Sequence, residues 1–197
     1  MKIFRILIVT GILSGCLVAG YYFWSIKRVN GMKTQTQDES LVIRAFEYES
    51  DHQAIDDLFR KGDNFYWMYQ GPSDQYSVDF MLRYNTSSQH SKNRDLTLKV
   101  ATLQGKIVGF LAYYPHSAHV WQLLFLLVDQ DFRRQGIARK LLDFAVHDMV
   151  RHGAYRITIG TRDNNFRAQN LYQSYGCKPV NSDVPGFVYF SWHKPTS

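Results

Sequence analysis

Apolar positions along the chain recur at two periods, and the switch between them marks the elements. Val120–Val128 is almost wholly apolar and is long enough for one buried strand. Past it, Ile137, Leu141, Leu142, Ala145, Met149 and Val150 fall on one helical face, and Arg139, Lys140, Asp143, His147 and Arg151 on the other. A buried strand therefore feeds a short basic turn, and the turn opens an amphipathic helix that Gly153 stops. Upstream, Leu41–Phe46 reads as a short strand. Glu49–Phe59 has helical spacing, with Ser50 or Asp51 as N-cap and Gly62 as its end. Phe65–Tyr69 is an aromatic cluster expected to pack under a loop, with a place on a substrate cleft as the alternative. After the Gly71-Pro72 turn, Tyr76–Tyr84 reads as a second helix capped by Ser73 or Asp74, and Asn85–Arg94 as a polar loop. Alternation on both sides of Gln104-Gly105 predicts a hairpin of Leu96–Leu103 with Lys106–Tyr114. Downstream come a strand at Arg156–Gly160 and a short helix with Ala168, Leu171, Tyr172 and Tyr175 on its apolar face. Asp163 or Asn164 is its expected cap and Gly176 its end; strands at Lys178–Val180 and Phe187–Trp192 close the chain.

The first 40 residues follow a different rule. Ile6–Ile26 contains no charged residue and as a helix would measure ~32 Å, the thickness of a bilayer core. Lys2 and Arg5 flank one end, Lys27, Arg28 and Lys33 the other, and Tyr21, Tyr22 and Trp24 cluster near the second end as interfacial aromatics do. The preferred reading is a retained single-pass anchor over residues 1–28, with the bulk of the chain facing the cytoplasm. A cleaved signal peptide is one alternative. A lipoprotein signal ending at Cys16 is the other, since Leu13-Ser14-Gly15-Cys16 has the form of a lipobox. Residues 29–40 are a polar linker, and the globular domain spans residues 41–194.

A length of 197 residues suits one domain with an appendage, and the net charge of +6 suits an anionic ligand or an acidic surface. The basic residues are scattered and no nucleic-acid motif accompanies them, so no nucleic-acid partner is expected. Cys16 and Cys177 make neither a metal spacing nor a disulfide framework, and His116 and His119 lack a recognisable third ligand, so no metal is expected.

The basic turn carries the chemistry. The first turn of a helix leaves backbone N–H groups unpaired, and the helix dipole adds positive charge there. Gly136 admits close approach, Ala138 keeps the next position small, and Arg133, Arg134 and Arg139 surround the point, which suits a pyrophosphate. The second glycine and Lys-Ser/Thr of a nucleotide P-loop are missing, as are the three glycines of a dinucleotide fingerprint. What stands is Arg-x-x-Gly-x-Ala, Arg133–Ala138. It resembles the acyl-CoA pyrophosphate loop of the GNAT superfamily of N-acetyltransferases. Asn165–Gly176 is similar to the family's Asn-x-x-Ala-x-x-Leu-Tyr-x-x-x-Gly segment, at a typical separation from the loop.

The resemblance implies an α/β architecture: a central, mostly antiparallel mixed sheet with splayed fourth and fifth strands, flanked by four helices and here preceded by one hydrophobic helix. It implies acetyl-CoA as co-substrate. Main-chain groups of Leu126, Leu127 and Val128 would bond the pantetheine arm, and Arg133, Arg134, Gln135, Gly136, Ile137 and Ala138 would hold the pyrophosphate. Asn165 would contact the arm from the far side. Tyr172 matches the family's general acid; a core position on the apolar helix face is its other reading. No carboxylate stands where relatives carry one on the fourth or fifth strand: Gly160 occupies the fifth-strand position. Glu47, Glu49, Asp129, His119 or ordered water remain as bases, and Cys177 replaces the usual phenylalanine after Gly176. The expected activity is acetyl transfer to a primary amine of an unidentified small-molecule or peptide acceptor. The alternative is an acyl-CoA-binding module without turnover, serving as a membrane-linked sensor or scaffold. Weaker still is a basic membrane-associated module that binds anionic polymers.

Overall fold

The computed structural model describes residues 40–68, 78–79, 96–181 and 183–195. They belong to one unit, Ser40–Ser197, built on a seven-stranded sheet. The strands are β1 (Val42–Ala45), β2 (Thr97–Leu103), β3 (Lys106–Pro115), β4 (Val120–Val128), β5 (Arg156–Arg162), β6 (Lys178–Val180) and β7 (Phe187–His193). Their order is β1-β2-β3-β4-β5-β7-β6, and every neighbouring pair is antiparallel except β4 with β5. The described helices are α1 (Tyr48–Arg60), α2 (Asn64–Met68), α3 (Ile137–Arg151) and α4 (Phe166–Ser174). Among the described residues no helix is long and apolar enough to cross a membrane. The apolar stretch Ile6–Ile26, Cys16 and the polar linker lie outside those residues.

Each face of the sheet has its own core, because successive strand side chains point to opposite faces. On one face, Leu141, Leu142, Ala145 and Met149 of α3 and Tyr172 of α4 pack on Leu111, Tyr113, Leu123, Ile157, Ile159 and Phe190. On the other, Ile55, Leu58 and Phe59 of α1 pack on Leu98, Val100, Phe110, Phe125 and Leu127. The hairpin turn is as expected: Gln104 and Gly105 both take positive φ, 52° and 77°, as a two-residue turn between twisted strands requires.

The parity of β4 breaks midway. Trp121 and Leu123 serve the α3 core, whereas Phe125 and Leu127 serve the α1 core. The register with β3 explains this: Tyr113 pairs with Leu123 but Ala112 pairs with Phe125, so Leu124 is an extra residue, a β-bulge. An unbroken apolar run gives no sign of such a switch.

Three expectations need correction. Helix α1 begins at Tyr48, so Asp51 lies inside it and is no cap. Its buried carboxylate accepts the Glu47 N–H at 2.9 Å and both arms of Arg44 at 2.6 and 2.8 Å. Asn165, rather than Asp163 or Asn164, caps α4, accepting from the Ala168 N–H at 3.3 Å. Most of the aromatic cluster forms a helix, α2, instead of packing under a loop. Five residues are too few for periodicity to reveal it. Of the predicted helix Tyr76–Tyr84, Val78 and Asp79 are described, and both are helical. The preceding turn, Tyr69 and the loop Asn85–Arg94 lie outside the described residues.

Candidate active site

The parallel pairing of β4 with β5 runs from Val120–Arg156 to Leu123–Ile159 and stops. Beyond it β4 stays with β3 as far as Val128, and β5 stays with β7 as far as Arg162. The two strands part at the Leu124 bulge. A backbone edge with no strand partner there is a ready acceptor and donor row for an extended ligand.

A cleft of about 610 Å³ opens at this parting. Its walls include Leu126, Leu127 and Val128 of β4, the turn residues Arg133, Arg134 and Gly136, Ile137 and Ala138 of α3, and Asn165 and Tyr172. Ten of the eleven residues singled out by sequence are thus brought together; Gln135 is exposed and is not part of the lining. Trp67 and Met68 of α2 also line the cleft, which is the alternative place the sequence offered for the aromatic cluster, whereas sequence reasoning missed Asn64 of α2 and Arg167 of α4. The aromatic cluster was the available signal for α2. Among the described lining residues there is no carboxylate and no histidine, whereas Arg133, Arg134, Arg139 and Arg167 are present.

The turn after β4 is held from below. Asp129 is buried, caps a 3-10 turn at Gln130–Phe132 by accepting the Asp131 N–H, and receives the Lys61 ammonium at 2.6 Å. Burial works against its charge, but Lys61 and the Asp131 N–H outweigh burial, and its pKa is lowered. Asp129 is therefore an ion-paired brace and a poor base. Arg133 lines the cleft yet spends donors inside the protein: Nε donates to the Val128 carbonyl at 3.2 Å, and Nη2 donates to Asn64 Oδ1. Asn64 is itself fixed by donating to the Leu58 carbonyl at 2.7 Å. Arg134 is exposed, with φ of 67°. Gly136, at φ 79°, precedes α3, and the first N–H turned inward on that helix is that of Lys140, which donates to Gly136. The amides of Ile137, Ala138 and Arg139 precede the helix's own bonding pattern and remain at its open end.

Tyr172 packs on Phe190 with ring centroids 5.7 Å apart, and 6% of its surface is exposed. It is both a core residue and a wall of the cleft. Its hydroxyl makes no hydrogen bond to a described residue, and burial raises its pKa, so it stays protonated across the neutral range. Cys177 is buried, with its thiol pushed up to about 11 by burial, which fits an inert packed thiol. Asn165 turns its carbonyl to the helix end and its amide to Thr161 Oγ1 at 3.1 Å. Glu47, Glu49 and His119 do not line the cleft. At Gly160 an added Cβ would lie 2.9 Å from the Tyr189 ring, so the fifth-strand site of a carboxylate is filled by that ring. Among the described residues no cluster of His, Cys, Asp or Glu could hold a metal ion.

Comparison with known proteins agrees with this geometry. The chain is 36% and 38% identical to the N-acetylaspartate synthetases of Xenopus tropicalis and Homo sapiens, over 46% and 45% of its length. Those matches cover 35% and 31% of the two relatives, so the chain spans about a third of their length. A solved structure of a GNAT family acetyltransferase from Elizabethkingia anophelis, with acetyl-CoA bound, superposes at a TM-score of 0.56. The two are 18% identical, and the match covers 80% of this chain and 99% of that one. The profile of the Acetyltransferase (GNAT) family matches residues 52–177. With its mixed seven-stranded sheet, its parted fourth and fifth strands and this match over most of its length, the chain belongs to the GNAT acetyltransferase family.

Proposed function

We propose that the protein transfers an acetyl group from acetyl-CoA to a primary amine by direct attack on the thioester. The observation that carries this reading is the cleft between β4 and β5, with the open end of α3 on its wall and Tyr172 lining it. The fit to the coenzyme is chemical. Unpaired amides, Arg134 and Arg139 suit a diphosphate, the free edge of β4 near Leu126–Val128 suits an amide-bearing pantetheine arm, and Leu126, Ile137 and Leu171 suit its apolar parts. Acetyl-CoA supplies the activated acyl group.

In this reading Tyr172 is the general acid. Its neutral hydroxyl gives the departing thiolate a proton. One main-chain N–H of β4, beyond the Leu124 bulge where the strand has left β5, steadies the oxyanion in this reading. No side-chain base stands among the described lining residues, and in this reading the amine loses its proton to water. Log kcat/KM is then expected to rise with unit slope as pH approaches the acceptor's own pKa, without a plateau set by an enzyme group.

Thiol release from acetyl-CoA, measured over a panel of amines with L-aspartate first because two relatives bear the name of its acetylated product, tests the reading. Tyr172→Phe is expected to lower kcat about 100-fold with acetyl-CoA affinity unchanged. Unchanged kcat in that variant sinks the assignment of Tyr172.

A further inference from the structure

The turn that leads into α3 is met, residue against residue, by the joint between α1 and α2. Lys61 Nζ lies 2.6 Å from Asp129 Oδ1 and 2.5 Å from Asp131 Oδ2. At Gly62 an added Cβ would lie 2.6 Å from Gln130 Oε1, so the joint's backbone runs against that side chain. Asp63 Oδ1 lies 3.8 Å from Arg133 Nη1, and Asn64 Oδ1 accepts from Arg133 Nη2. The hydrogen-bonded partners are 68 to 70 positions apart in the chain. The joint is itself fixed. Asn64 is buried and donates to the Leu58 carbonyl at 2.7 Å, and Leu58 and Phe59 sit in the α1 core.

Two consequences follow for an anion. The turn carries two carboxylates, Asp129 and Asp131, into a place otherwise suited to negative charge. Left unpaired they would oppose a diphosphate, and Lys61 lies between them. Arg133, for its part, is gripped at two points. Its Nε donates to the Val128 carbonyl at 3.2 Å and its Nη2 to Asn64, so the planar fork bridges β4 and α2. A guanidinium bound in this way fixes the course of the backbone between Val128 and Gly136. The open amides that follow Gly136 take their place from that course.

We propose that Lys61 and Asn64 are positioning residues for the coenzyme's diphosphate. Lys61 acts by taking up the charges of Asp129 and Asp131, and Asn64 by holding Arg133 against β4, so that Arg133 shapes the turn and the amides of α3 meet the phosphates. This rests on the acetyl-CoA reading above.

The test uses the full chain. It measures calorimetric affinity for CoA and for pantetheine, which has no phosphate, and KM and kcat with acetyl-CoA. Lys61→Met is expected to weaken CoA ~10-fold and pantetheine less than about twofold, with KM raised and kcat changed less. Lys61→Arg is expected to recover most of the loss. Asp131→Asn changes an exposed side chain and leaves Lys61 with one carboxylate; it is expected to tighten CoA by ~3-fold at low salt, a gain that fades at high salt. Asn64→Ala and Arg133→Met are each expected to weaken CoA, and the double variant to be no weaker than the worse single, since both break one contact. Arg133→Lys keeps the charge without the two-point grip and is expected to lose as much as Arg133→Met.

The Lys61 role is overturned if Lys61→Met leaves CoA affinity unchanged or weakens pantetheine equally, or if Asp131→Asn weakens CoA. The Asn64 role is overturned if the Asn64 and Arg133 losses multiply, or if Arg133→Lys binds CoA as the unaltered chain does; either result puts the Arg133 charge on the phosphates directly. CoA binding with the expected dependences, but without thiol release from any amine, keeps this proposal and defeats the transferase reading alone.

Discussion

Arg134 holds φ at 67°, a region that costs an L side chain about 1–2 kcal/mol. Two residues on, Gly136 takes φ of 79° and pays no such penalty for a Cβ. An exposed arginine kept in a conformation glycine prefers, beside open amides, is explained if its charge serves a ligand. Arg134→Gly is then expected to raise Tm by about 2–4 °C, since ~1 kcal/mol of backbone strain disappears. The same variant is expected to bind CoA about tenfold more weakly, by loss of one charged contact. Melts and calorimetry on one preparation check both. A gain in Tm with unchanged CoA affinity would remove Arg134 from the anion site. Gly136→Glu is expected to abolish CoA binding, because a strained backbone and a negative charge meet at the same point, while the far-UV circular dichroism stays that of the folded chain.

Helix α1 is tied to β1 by one ion pair. Arg44 grips buried Asp51 with two arms, and this pairing, ahead of an opposing burial effect, holds the Asp51 carboxyl at about 2. The folded pKa lies below the ordinary ~3.9, so the contribution to stability is complete above that value and is lost as pH falls through about 2. Asp51→Asn is expected to destabilise the domain by ~1–3 kcal/mol at pH 7, and the difference from the unaltered chain should close between about pH 4 and 2. Urea titrations at several pH values measure it; a gap independent of pH would mean that packing, not charge, is what Asp51 supplies. The same elements show what a sequence can and cannot disclose. The hairpin, β4, α3 and α4 were legible because each carries a long period with a glycine or a polar turn at its end. The Leu124 bulge was hidden because every residue from Leu123 to Val128 is apolar, so a change of face leaves no trace. Asp51 looked like a cap because Arg44, which draws it inward, lies on another element. The basic turn Arg133–Ala138 was legible as a local motif. The part played by Asn64 was not, since it depends on Arg133 meeting it from 69 positions away.

At the scale of the whole molecule, the chain has a sheet whose fourth and fifth strands part and an N-terminal stretch of different composition. The sheet and its two cores are formed by described residues of the unit Ser40–Ser197. Ile6–Ile26, with charges at both ends and aromatics near the second, is long enough to span a bilayer. We propose that it tethers the enzyme, with the catalytic domain on the cytoplasmic side where acetyl-CoA is made. The full chain is then expected to remain with membranes through an alkaline carbonate wash. A chain beginning at Leu41 is expected in the soluble fraction, with the same kcat and KM, since the described residues that line the cleft begin at Asn64. Cys16→Ser separates the two ways of holding a membrane. A spanning helix gains its ~0.8 kcal/mol per buried CH2 from the whole apolar run and is indifferent to one sulfur, whereas a lipid-modified terminus depends on it entirely. Membrane retention of that variant supports the span; its release would replace the span with a lipid anchor at Cys16, and would move the catalytic domain to the other side of the membrane.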